Sequence, residues 1–114
     1  MADATTANQV DGYGFAVNLT SDDASAAKTA VAAVAGKSHY IKKITIACVS
    51  AISVTIQDNT GTPVLILGPI TFTTGSSPFE IEYLNGIQVA AGKTVDVIAS
   101  GAGAVAVNIQ GYTE

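Results

Sequence analysis

The chain has 114 residues, room for one domain that buries about two-thirds of the surface its unfolded chain exposes. An apolar content of 48% against 12% charged excludes a disordered chain, because that much apolar surface must be buried. Five lysines against nine acids, with no arginine and a net charge of −4, exclude the basic field that nucleic-acid binding or docking to an anionic membrane needs.

In chain order, the first stretch has no basic run followed by an apolar core, so no signal peptide is expected. No apolar run reaches the length that crosses a bilayer. Residues 1–12 are polar, rich in Ala, Thr and Asn, and without period; they read as an extended N-terminal arm. The folded domain then spans 13–114. Tyr13, Phe15, Val17 and Leu19 alternate on one face, the sign of a half-buried strand, until Ser21, Asp22 and Asp23 break it.

Residues 24–35 are two-sided. Their alanines favour a helix capped at Ser21 or Asp22 and closed by Gly36, whereas the β-rich remainder favours a turn and a strand from about Lys28. The strand is the preferred reading. Residues 40–49 read as a strand with Ile44, Ile46 and Cys48 inward. Lys42 shares that parity, so the buried part starts after it or a bulge intervenes. Ile52, Val54 and Ile56 alternate with Ser53, Thr55 and Gln57, and Asp58-Asn59-Thr60-Gly61 reads as a hairpin turn.

Val64, Leu65, Ile66 and Leu67 are apolar on both faces, and Pro69 is expected to end that strand. Phe79, Ile81 and Tyr83 alternate with Glu80 and Glu82 before a turn at Asn85-Gly86, with Gln88-Val89 as a short strand beyond. Val95 and Val97, then Val105, Val107 and Ile109, complete the inward set. Eight or nine short strands at about ten-residue spacing predict an all-β fold: a two-sheet antiparallel sandwich of jelly-roll type.

Catalytic groups are sparse. His39, ahead of a strand, reads as an exposed loop residue or interface hydrogen-bonder, and Cys48 as a buried inert thiol. Parity puts the two on opposite sides of one strand. Glu80 and Glu82 stand about 7 Å apart on one strand face, near the separation of glycosidase acids. They read better as a solvated face opposite Phe79, Ile81 and Tyr83. Zinc would need Cys/His clusters that the chain lacks. Asp22-Asp23 and Asp58-Asn59 lack calcium-loop spacing and suit turns and caps. No catalytic, metal or cofactor site is expected, and the chain is read as a non-enzyme that acts through its surface. Candidate interface residues are Thr5, Thr6, Asn8, Gln9 and Val10 of the arm, suited to adding a strand to a neighbour, and Val64, Leu65, Ile66 and Leu67, an apolar patch.

Residues 28–112 also carry a family likeness. The run from Thr29 through Gly36-Lys37 leads into the 40–49 strand. Residues 54–58, then Leu67-Gly68-Pro69-Ile70, the Gly86-to-Val95 stretch and a final Gln110-Gly111-Tyr112 follow in order. This order resembles small jelly-roll structural proteins of tailed bacteriophages, over about three-quarters of the chain. The resemblance implies a virion protein such as a capsid decoration (cement) protein, made in the host bacterial cytoplasm and placed on the capsid exterior. Its implied partners are the major capsid protein and itself as a homotrimer. It also favours strand over helix in the alanine stretch. The alternative is a fibre or tail-tip module recognising a host surface glycan, against which the absence of Trp weighs, leaving Tyr13, Tyr40, Tyr83 and Tyr112 as the tyrosines.

Overall fold

The computed structural model describes residues 4–10 and 14–114, with Thr5 the one side chain described in the first segment. These residues form nine strands and no helix. They are β1 (Ala4–Val10), β2 (Gly14–Asp23), β3 (Lys28–Val31), β4 (His39–Cys48), β5 (Ser53–Asp58), β6 (Leu65–Thr71), β7 (Phe79–Gln88), β8 (Val95–Ala99) and β9 (Ala102–Thr113). One sheet has the order β2-β9-β4-β7, extended at its edge by β1, and the other the order β3-β8-β5-β6. All pairings are antiparallel.

The period-2 strands bury the faces their sequences mark. Phe15, Val17 and Leu19 on β2, Ile44, Ile46 and Cys48 on β4, and Val105, Val107 and Ile109 on β9 line the inner face of the larger sheet. Val54, Ile56, Val95 and Val97 supply the smaller sheet's share of the core, each with 0% exposure. Sheets stacked about 10 Å apart leave room for these side chains and little else.

The alanine stretch resolves as the strand β3 over 28–31, with Ala30 and Val31 buried. Packing against β8 outweighs the helix propensity of the alanines, and residues 32–37 leave the sheet exposed. Residues 4–10, read from sequence as part of an arm, pair with β2 from Ala4↔Thr20 to Val10↔Gly14. They show no hydrophobic period because a ladder needs only backbone groups, which every residue here supplies. Tyr13 lies outside the described residues.

Two expected strand ends prove to be bulges. The register between β4 and β7 jumps from Ile41↔Ile87 to Lys43↔Glu82, so residues 83–86 stand opposite Lys42 alone. Lys42 thus sits in the irregularity its parity suggested, and Ile41 and Ile44 both reach the core. Asn85-Gly86 does not end the strand; Gly86, at φ 79°, lets β7 loop outward and rejoin β4, where it continues through Gln88. Pro69 does not end β6 either. The strand runs to Thr71 across a second irregularity, between Ile56↔Leu67 and Val54↔Ile70, that contains the cis Gly68–Pro69 bond. Because β6 is an edge strand, the N–H that Pro69 lacks is not required by a further neighbour.

Candidate functional site

Edge strands β6 and β7 lie on one flank of the sandwich and line a cleft of about 430 Å³ with Val64, Leu65, Ile66, Ile87, Gln88 and Val89. Val64 and Leu65 are each 58% exposed, and Leu84, in the β7 bulge, is 87% exposed. Ile66 and Leu67 instead pack against the core. The split follows from the register, where Gln57 faces Leu65 and the adjacent Ile56 faces Leu67, so the extra residue on β6 turns both Ile66 and Leu67 toward the interior.

The turn entering this flank is fixed by Asp58, which is buried. Its Oδ1 accepts from the backbone N–H of Thr60 at 3.0 Å and of Val64 at 2.9 Å, while its own N–H donates to the Val64 carbonyl at 3.1 Å. Burial acts to raise the Asp58 pKa, but the Val64 and Thr60 N–H groups, the Thr60 hydroxyl and the charge of Lys93 together hold it below the ordinary carboxylate value. Lys42 Nζ, on β4, donates to the Leu84 carbonyl and braces the β7 bulge.

Glu80 and Glu82 point outward from β7, opposite the half-buried Phe79, Ile81 and Tyr83. Lys43 lies 3.4 Å from Glu80 and 4.0 Å from Glu82, and the Thr45 hydroxyl donates to Glu80 at 3.5 Å. The two carboxylates therefore share one cation on a wet surface. Burial raises the Tyr83 pKa.

His39 is not exposed, as its place ahead of a strand suggested, but 2% exposed. It opens β4 opposite Thr113, with Nδ1 2.8 Å from Thr113 Oγ1 and Nε2 2.8 Å from the Ala32 carbonyl. Nor do His39 and Cys48 face opposite sides. The Lys42 bulge restores common parity, and both point inward at opposite ends of β4. Cys48 is buried, with Sγ 3.5 Å from the Ser50 carbonyl. Among the described residues no group of three or more His, Cys, Asp or Glu is placed to hold a metal ion. Asp58 and Asn59 serve the turn, Asn59 Oδ1 accepting from the Thr94 N–H at 3.1 Å.

The two candidate interface segments are not brought together. Thr5, Thr6, Asn8, Gln9 and Val10 lie on β1, at the far edge of the larger sheet from β7, whereas Val64, Leu65, Ile66 and Leu67 belong to the β6 edge or its approach. Thr5 is exposed.

A feature the sequence reading passed over occupies the outer face of the larger sheet. Tyr40 and Tyr112 stack with ring centroids 4.9 Å apart and planes 11° apart. Beside them Gln110 Nε2 donates to Asn108 Oδ1 at 3.0 Å, and Asn108 Nδ2 to Asn18 Oδ1 at 2.6 Å. The signal was the parity of β9, where Asn108, Gln110 and Tyr112 interleave with the inward Val107 and Ile109.

Compared with known proteins, this chain matches no family model, no curated protein and no solved structure.

Proposed function

We propose that this chain is a virion structural protein, a capsid decoration (cement) protein that binds the outer shell as a symmetric oligomer and stabilises it. The observation that carries the reading is the β6–β7 flank, where Val64 and Leu65 stand in solvent at a cleft between two sheet edges and Leu84 stands in solvent on the β7 bulge. Exposed apolar side chains beside open edges are surfaces that a neighbour normally covers.

The strand pairing supports the jelly-roll part of the reading. Strand β2 pairs with β9, β3 with β8, β4 with β7 and β5 with β6. Such nested pairing is what results when a long antiparallel ribbon, β2 to β5 running out and β6 to β9 running back, is wound into two sheets. Residues 4–10 pair with the chain's own β2 rather than extending from it as an arm. Backbone pairing of this kind can also form with the edge of a neighbouring copy, and residues 1–12 are kept as the proposed link between subunits.

Stabilisation of a shell would come from many modest contacts repeated over a lattice, each one weak and the array strong. The partners are the major capsid protein and further copies of this chain, a trimer by the resemblance already described. Electron microscopy of purified virions that encode this chain, with mass spectrometry of the same particles, tests the reading. Density for the chain at repeating positions on the capsid exterior is expected. Absence from the particle, or confinement to the tail or fibres, overturns it.

A further inference from the structure

We propose that Asn85 is a self-modification site, at which the backbone nitrogen of Gly86 attacks the asparagine side chain and water opens the resulting ring to aspartate and isoaspartate. The inference concerns the β7 bulge and stands whether or not the chain belongs to a virion.

The step needs a backbone nitrogen that can reach the amide carbon of the preceding asparagine. Asn85 alone among the asparagines is followed by glycine; Asn8, Asn18, Asn59 and Asn108 precede Gln, Leu, Thr and Ile, whose side chains crowd the attack. The Gly86 nitrogen bonds to Asn85 Cγ and the Cγ–Nδ2 bond breaks. Ammonia leaves with the proton that the Gly86 nitrogen gives up, and a five-membered succinimide remains. Water then adds to one of its two carbonyls. Cleavage at the side-chain carbonyl gives aspartate; cleavage at the backbone carbonyl gives isoaspartate, with the chain running on through the side chain.

A strand paired on both sides resists this, because its ladders fix the torsions that must change to bring the two groups together. At the bulge the register jumps from Ile41↔Ile87 to Lys43↔Glu82, so residues 83–86 have no partner position on β4. Among the described residues no other strand pairs with the far side of β7, the last strand of its sheet. Asn85 is exposed, open to water and base. Gly86 holds φ 79°, a region that glycine enters and leaves at little cost. By contrast, Asn18 and Asn108 lie inside paired strands and bond to one another, and Asn59 is held by the Thr94 N–H.

Lys42 adds a charge to this geometry. Its stem runs beside Gly86, where a Cβ on the glycine would lie 3.4 Å from Lys42 Cδ. Its ammonium donates to the Leu84 carbonyl, in the peptide that joins Leu84 to Asn85. A cation held here stabilises the negative charge that builds on the Asn85 amide oxygen during attack, and attracts the carboxylate that results. The product carries one more negative charge than the parent's −4, next to exposed Leu84. On the reading of this flank as a contact between copies, conversion brings that charge into the contact and weakens it.

The test is ageing of the full chain in warm neutral buffer, followed by peptide mass spectrometry with fragmentation that separates isoaspartate from aspartate. A gain of one mass unit is expected at Asn85, at least tenfold faster than at Asn18, Asn59 or Asn108 and faster at higher pH, with isoaspartate the major product. Asn85→Gln should abolish the gain with the fold unchanged, since the residue is exposed. Lys42→Met, which keeps the stem and removes the charge, should slow it severalfold. Converted chain, separated from fresh chain by ion exchange, should associate more weakly in sedimentation velocity. The proposal is overturned if Asn85 gains no mass while a synthetic peptide of residues 79–88 converts fully, if another asparagine converts as fast, or if aspartate is the sole product. An unchanged rate in Lys42→Met removes the ammonium from the step. A chain that converts but never associates sinks the interface reading and leaves the modification standing.

Discussion

His39 Nδ1 lies 2.8 Å from Thr113 Oγ1, tying the first residue of β4 to the last residue of β9. The Ala32 carbonyl can only accept, so Nε2 carries a proton and donates to it, and in the neutral ring Nδ1 accepts from the Thr113 hydroxyl. Phe15 meets the ring edge-on at 5.6 Å and 81°. One side chain thereby joins the loop after β3 to the start of β4 and the end of the chain. Thr113→Val keeps the shape but leaves a buried nitrogen without its donor. A loss of about 1–3 kcal/mol in urea unfolding is expected, seen as a lower midpoint at unchanged slope. A midpoint equal to that of the parent chain would show that the ring is satisfied in another way.

Gly111 sets how closely β9 and β4 can approach. A Cβ at this position would fall 2.1 Å from the Tyr40 carbonyl oxygen and 3.0 Å from Phe15 Cζ. Neither can move away easily, one being backbone in a central pairing and the other a core ring. Gly111→Ala is therefore expected to cost about 3 kcal/mol or more, at the severe end for a single methyl group. Thermal unfolding followed by circular dichroism checks it, and a variant as stable as the parent refutes the close approach.

Most of the sandwich was legible because burial on one face writes a period of two into the chain. Val105, Val107 and Ile109 or Val54 and Ile56 needed no further information. What misled was punctuation. Asn85-Gly86 has the chemistry of a hairpin turn, but whether a glycine at positive φ turns a strand or bulges it depends on the partner, and the partner is Lys42 of β4. Pro69 stops a central strand but not an edge, and edge status is a property of the whole sheet. His39 was misplaced because its parity counts only after the Lys42 bulge is known. The Tyr40–Tyr112 pair and the amide chain beside it arise from a register between strands far apart in sequence, which no local pattern contains. The apolar surplus of residues 64–67 was visible, whereas its division into exposed Val64 and Leu65 and inward Ile66 and Leu67 was set by the β5–β6 register.

Asp58 gives the fold an acid limit. Its folded-state pKa lies below the unfolded value, so the unfolded chain takes up this proton first as the pH drops. The stabilisation is present above the unfolded value of about 4 and is lost as the pH falls through the lower folded value. In Asp58→Asn the side-chain oxygen still accepts from Thr60 and Val64, but this titration is gone. The stability gap between the parent chain and Asp58→Asn should then be widest near neutral pH and shrink as the pH is lowered below about 4. Urea midpoints measured across that range check it; a gap that stays constant would mean that Asp58 carries no linked proton.

Leu84 and Leu65 separate self-association from folding. Leu84 is 87% exposed on the bulge and Leu65 is 58% exposed on the β6 edge, so neither contributes much to the isolated core. Leu84→Lys should change the stability of the monomer by no more than about 0.5 kcal/mol. If a second copy covers the flank, the same change places a charge in an apolar contact, and the cost of burying it falls on the oligomer alone. Sedimentation velocity of the parent chain should show an oligomer that dissociates in Leu84→Lys and in Leu65→Lys while the dichroism spectrum is unchanged. Oligomers that persist in both variants would assign the contact to another surface, with the β1 edge the next to be tested by deletion of residues 1–12.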